Sequence, residues 1–179
     1  IVENFFHGGR VRRDGVIVEV PGAWKCLEID FGQGRRKAIT IPWGDVSSAF
    51  YSTGIPNIEV YMSAPLGLRL FMRGLRFVSP LLRSAAVQRF LQARIPEGGP
   101  SDETRAEGYC LLWGEVEDEA GGRAEARLRT PDGYTLTAQA VVRVIQKILD
   151  GDAPPGFKTP SLAYDPDFVL ELPGTRFMD

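Results

Sequence analysis

The sequence predicts an α+β fold in which a mostly antiparallel mixed sheet is covered by helices. Three observations lead there. Strand-like runs are joined by very short turn segments, at Asp14-Gly15, Gly32-Gln33-Gly34 and Glu119-Ala120-Gly121-Gly122, and only antiparallel strands accept connections that short. The strands also outnumber what a parallel sheet with crossover helices needs. Finally, Ala138, Val141, Val142, Ile145, Ile148 and Leu149 recur at helical spacing, which predicts an amphipathic helix. At 179 residues, 44% apolar and 25% charged, the chain has the length for one well-buried core, so a single α+β domain spanning residues 1–179 is expected.

The first element is a hairpin. Asp14-Gly15 lies between two β-prone runs, 9–13 and 16–20, and this pair suits a turn that needs positive φ. Trp24 to Phe31 then alternates, with Leu27, Ile29 and Phe31 on one face and Trp24, Cys26, Glu28 and Asp30 on the other. The chain turns at Gly32-Gln33-Gly34 and returns as a strand over Lys37 to Pro42. A short helix follows to about Ser52, with Asp45 expected to accept from its free N–H groups and Gly54 and Pro56 to stop it. Asn57 to Ser63 alternates as a strand with Ile58, Val60 and Met62 together.

Pro65 to Val78 reads as a helix, and Ser79-Pro80 opens a second one to about Arg94, since proline at the first helical position loses no hydrogen bond. Pro96 to Asp102 reads as a loop. Arg105 to Glu117 and Arg123 to Arg129 form a long hairpin, across which Glu115 and Glu117 are expected to meet Arg127 and Arg129. The amphipathic helix is capped by Thr135 or Thr137 and stopped at Gly151. Beyond a rigid loop at Pro154 to Pro160, Asp167 to Leu172 reads as a short extended run.

Composition excludes several functions. A net charge of −2 gives no positive field to gather nucleic acid. Cys26 and Cys110 form no metal-ligand spacing with the one histidine, His7, so no metal site is expected, and the two cysteines read as half-buried strand residues of a protein in a reducing, cytoplasmic setting. The most apolar stretch, Leu66 to Leu91, is broken by Arg69, Arg73, Arg76, Arg83 and Arg89, leaving no run near the roughly 18 residues of a transmembrane segment. Arg69, Arg73 and Arg76 form instead a basic stripe suited to a solvated face or an acidic ligand.

Chemistry is sparse in the sequence. No nucleophile has a histidine and an acid placed to form a triad. Gly32-Gln33-Gly34 lies between antiparallel strands instead of opening a helix, so no nucleotide cradle is present and no residue is assigned to cofactor binding. The carboxylate pairs Glu28 with Asp30 and Glu115 with Glu117 read as outward sheet faces. Alternation over Trp24 to Asp30 and over Tyr109, Leu111 and Trp113 could also present side chains for a second copy to cover.

The succession Ile29-Asp30-Phe31-Gly32, Pro42-Trp43-Gly44-Asp45, Thr53 to Tyr61, Gly108 to Glu117, Thr130-Pro131-Asp132-Gly133-Tyr134 and Gly156 to Pro160 resembles the C-terminal part of saccharopine-dehydrogenase-like proteins, in particular the bacterial branch called trans-acting enoyl reductases. The resemblance implies a substrate-binding and dimerisation domain of an NAD(P)-dependent oxidoreductase. The chain would then be a C-terminal fragment of a longer protein whose N-terminal Rossmann domain binds NAD(P), inactive by itself and acting as a homodimer on a small-molecule substrate. The opening residues, IVENFFHGGR, fit a chain cut from a longer one. Trp43, Asp45, Thr53 and Asn57, at the two ends of one helix, are the expected substrate-binding residues. No catalytic acid or base carries over. The other class of function open to the sequence is a non-catalytic ligand-binding or dimerisation module.

Overall fold

The computed structural model describes residues 8–70 and 101–178. They form a mixed α/β structure with three small antiparallel sheets in place of one larger sheet. The chain divides into two compact units, Ile1–Ile29 with Arg36–Gly98 and Asp30–Arg35 with Gly99–Asp179.

The first unit opens with a hairpin of β1 (Gly9–Arg13) and β2 (Val16–Val20), paired Gly9 to Val20 through Arg13 to Val16. Its turn has Asp14 at φ 48° and Gly15 at φ 80°, the left-handed pair that the sequence calls for. β3 (Cys26–Asp30), β4 (Arg35–Thr40) and β5 (Tyr61–Ser63) form a sheet in that order. Ala23, Ile39, Ile41 and Ala64 make the buried cluster against which Cys26, Val60, Met62 and Leu68 pack. Between β4 and β5 lies α1 (Asp45–Thr53), which buries Val46 and ends at Gly54, φ 71°, whose N–H donates to the Phe50 carbonyl at 2.8 Å.

Two expectations change here. The helix N-cap is Gly44, so Asp45 is the first helical residue and does not cap. The strand expected from Asn57 is regular only over Tyr61–Ser63; Ile58 instead forms an isolated bridge to Arg12. Residues 66–70 are helical as expected, while the remainder of that helix, the second helix to Arg94, the basic positions Arg73 and Arg76, and His7 lie outside the described residues.

The second unit begins with α2 (Asp102–Glu107), where Ser101 accepts from the Thr104 N–H at 3.2 Å. The expected loop and strand therefore give way to a helical turn between Ser101 and Gly108. β6 (Tyr109–Glu117) and β7 (Arg123–Pro131) form the long hairpin, and β8 (Arg176–Met178) adds to β7. Its register differs from the expected charge pairing. Glu115 faces Glu125 and Glu117 faces Arg123, while Arg127 and Arg129 face Trp113 and Leu111. The Asp118 carboxylate sets the turn by accepting from the Ala120 and Gly122 N–H groups at 2.9 and 2.7 Å.

α3 (Gly133–Leu149) follows the expected periodicity, but its cap is Asp132, which accepts from the N–H groups of Tyr134 and Thr135, and neither Thr135 nor Thr137 serves. After α4 (Pro160–Ala163), residues Pro166–Glu171 form a 3-10 helix. This overturns the extended run expected there, because Asp165 accepts from the Asp167 N–H and Pro166 is set for the first helical position.

Candidate functional site

The first unit gathers its charge around one carboxylate. Arg12 and Arg13, adjacent on β1, point to opposite sides. Arg12 is buried: its Nε donates to the Val46 carbonyl at 2.9 Å, its Nη1 donates to the Gly15 carbonyl at 2.5 Å, and its guanidinium lies 4.2 Å from the centre of the Phe50 ring. These bonds tie the hairpin to α1. The backbones of Arg12 and Ile58 exchange hydrogen bonds of 2.9 and 3.1 Å, which fixes Glu59 beside the hairpin.

Arg13, on the other side, donates through Nη2 to Glu59 Oε1, and the same oxygen accepts from Lys25 Nζ at 2.6 Å. The Tyr61 hydroxyl donates to Glu59 Oε2. Lys25 is held in turn by its backbone: its N–H donates to Thr40 Oγ1 and its carbonyl accepts from the Thr40 N–H, both at 3.1 Å. Thr40 is fully buried in β4 opposite Tyr61 in β5, so the sheet register positions both groups.

Trp24 completes the cluster. Lys25 Nζ lies 4.7 Å and the Arg13 guanidinium 5.4 Å from its ring centre, within reach of a cation–π attraction. The Glu59 side chain is 14% exposed, against 31% for Arg13 and 43% for Lys25. The carboxylate is thus covered and the two cations form the open side. Burial pushes the Tyr61 phenol up, against the opposing effects of the Thr40 hydroxyl and the Arg13 charge, so it is a neutral donor at neutral pH.

Chemically, this is a binding arrangement. Both oxygens of Glu59 already accept hydrogen bonds, and the phenol proton is directed at it, so the carboxylate serves to hold its partners. One anion against two cations leaves a local charge of +1 beside an exposed indole, a combination that suits an anionic group on a small molecule.

The expected substrate-binding residues lie around α1. Trp43 is half exposed, and Asp45 is exposed at the start of the helix. Thr53 and Asn57 are engaged with the backbone. Thr53 Oγ1 donates to the Ala49 carbonyl at 2.7 Å and accepts from the Ile55 N–H, while Asn57 Oδ1 accepts from the Asp14 N–H at 3.1 Å. The sequence reading missed Arg13, Lys25, Glu59 and Tyr61. The visible signal was one carboxylate, Glu59, within a strand-like run otherwise free of charge.

In the second unit, Glu171 is held below the usual carboxylate range by Arg143 and then Lys147, which contact it at 2.5 and 3.0 Å. It borders a groove of about 530 Å³ between α3 and Leu172-Pro173. Cys26 and Cys110 are free and half-buried. Among the described residues no cluster of histidine, cysteine or carboxylates is placed to hold a metal ion, and no helix is long and apolar enough to cross a membrane. Comparison with protein-family models, curated proteins and solved structures gives no match.

Proposed function

We propose that the chain is the substrate-binding and dimerisation domain of a saccharopine-dehydrogenase-like NAD(P)-dependent oxidoreductase, acting with an N-terminal Rossmann domain of its own longer chain. The observation that carries the binding part is the Glu59 cluster. Its covered carboxylate fixes Arg13 and Lys25 with their open sides toward solvent beside Trp24, a fit for the carboxylate or phosphate of a small substrate. Trp43 and Asp45, exposed at the start of α1, are further candidate ligand contacts, while Thr53 and Asn57 hold the helix end and the hairpin tip. The enzymatic part is supported by the succession of turn and strand segments that resembles this family. In this reading NAD(P) belongs to the other domain, the isolated chain has no turnover, and the protein works in the cytoplasm.

A non-catalytic dimerisation module is the second reading, favoured by the exposed apolar face of α3. Calorimetry separates the two. Glutarate, as a small dicarboxylate probe, is expected to bind the chain and to bind at least about tenfold more weakly to Lys25→Ala, a loss worth roughly 1.4 kcal/mol, while NADPH shows no micromolar binding. Micromolar NADPH affinity would show that the chain has its own cofactor site. Absence of glutarate binding would leave dimerisation as the better reading.

A further inference from the structure

α3 runs for 17 residues without burying one of them. Tyr134, Val141, Val142, Ile145, Ile148 and Leu149 are all 48–79% exposed. Arg143 and Lys147 are engaged with Glu171 and lie off this stripe. The rest of the face is Thr137, Ala138 and Gln146, so it carries no charge.

We propose that this face is the two-fold interface of a homodimer, with α3 packed antiparallel against α3 of a second copy. The inference rests on the dimerisation part of the proposed function and names its surface. Three observations select a second copy as the occupant. The apolar positions 134, 138, 141, 145 and 148 step alternately by four and three, the spacing of a seam that takes another helix at a shallow crossing angle. An uncharged face meets its own copy without repulsion, whereas a charged partner or an anionic lipid surface would find no counter-charge.

Size agrees as well. At roughly 100 Å² for each half-exposed large side chain, six of them offer about 600 Å² per copy, and the polar rim brings this near the roughly 800 Å² of a standard interface. Antiparallel pairing about a two-fold axis near Val141 and Val142 opposes the helix dipoles and makes the contact close on itself.

Sedimentation equilibrium tests this. The wild-type chain is expected to be a dimer at tens of micromolar, on the order of concentrations where modest symmetric interfaces form. Val142→Glu is expected to weaken association at least about tenfold with an unchanged circular dichroism spectrum. As a second variant, Val142→Cys is expected to give a covalent dimer on mild oxidation where the wild type gives none. A wild-type chain that stays monomeric overturns both this surface and the dimerisation reading. A dimer that Val142→Glu leaves intact, or a Val142→Cys protein that does not cross-link, overturns the surface alone. A monomer that co-sediments with phosphatidylglycerol vesicles assigns the face to lipid and overturns the proposal.

Discussion

In the first unit β4 carries Ala38, Ile39 and Thr40 into full burial, whereas in the second α3 leaves every one of its large apolar stripe residues exposed. The first unit encloses its cluster of Ala23, Ile39, Ile41 and Ala64 within its own strands and loops. The second is built from a long hairpin with a helix whose apolar side has no cover among the described residues. Patterning alone tells which side of an element is apolar. Whether that side stabilises the monomer depends on what lies against it, because the hydrophobic contribution scales with area removed from water.

The sharpest way to break this contrast is paired truncation. Ile39→Ala, in a site with 0% exposure, is expected to cost 2–5 kcal/mol in denaturant unfolding, roughly the range for deleting a buried branched side chain. Val142→Ala, measured at sub-micromolar concentration where a dimer is dissociated, is expected to cost less than about 0.5 kcal/mol. Equal costs would mean that α3 is already covered within one chain.

Glu59→Gln comes next. It leaves Arg13 and Lys25 facing each other without their shared anion, and we expect a loss of about 1–2 kcal/mol. That lies below the figure for breaking a fully buried pair, because Lys25 opens to water. A change near zero would reduce the cluster to solvated surface charge.

The units also differ in how pH should act on them. Glu125, Asp132 and Glu171, all in the second unit, are held below the ordinary carboxylate range, principally by hydrogen bonds from Trp113, Thr135 and Arg143 respectively. Depressed folded-state values mean that the unfolded chain binds more protons in this window. Their contribution is therefore present in full above the unfolded values near 4 and is lost as pH falls through the lower folded ones. Tyr61, in the first unit, is raised by burial from 10.0. Its contribution is complete below pH 10.0 and is lost as pH rises through the higher folded value. Acid melts followed at Trp113 and alkaline melts followed at Trp24 should show losses at opposite ends of the scale.

A small effect, and one that salt removes, belongs to Asp45→Ala. With Gly44 as the cap, the carboxylate contributes only its favourable position in the first helical turn, worth about 0.3–1 kcal/mol at low salt. A thermal melt in high salt should show almost no difference from the wild type.

These contrasts also mark how far the sequence could be read. The hairpin turn at Asp14-Gly15 and the helix stop at Gly54 were legible because both depend on positive φ, a requirement of single residues. Asp165-Pro166 carries an equally local signal for a helix start, and the β-prone residues Phe168-Val169-Leu170 that follow it mask that signal. The β6–β7 register was not legible, because it turns on how Asp118 folds the loop through two hydrogen bonds. The Glu59 cluster was hidden for a different reason. Its partners Arg13 and Lys25 lie 46 and 34 residues away, and they meet only through tertiary pairing of the hairpin with residues 56–58 and of Lys25 with Thr40 in the neighbouring sheet.

The most direct test of the contrast is hydrogen exchange of residues 35–40 and 133–149 at about 1 and about 100 μM protein, concentrations chosen to straddle a micromolar dissociation constant. A second copy that binds only the folded chain adds protection to α3 by mass action. The account predicts that α3 amides exchange markedly more slowly at the higher concentration while those of β4 within this range change less. Identical α3 exchange at both concentrations would contradict it.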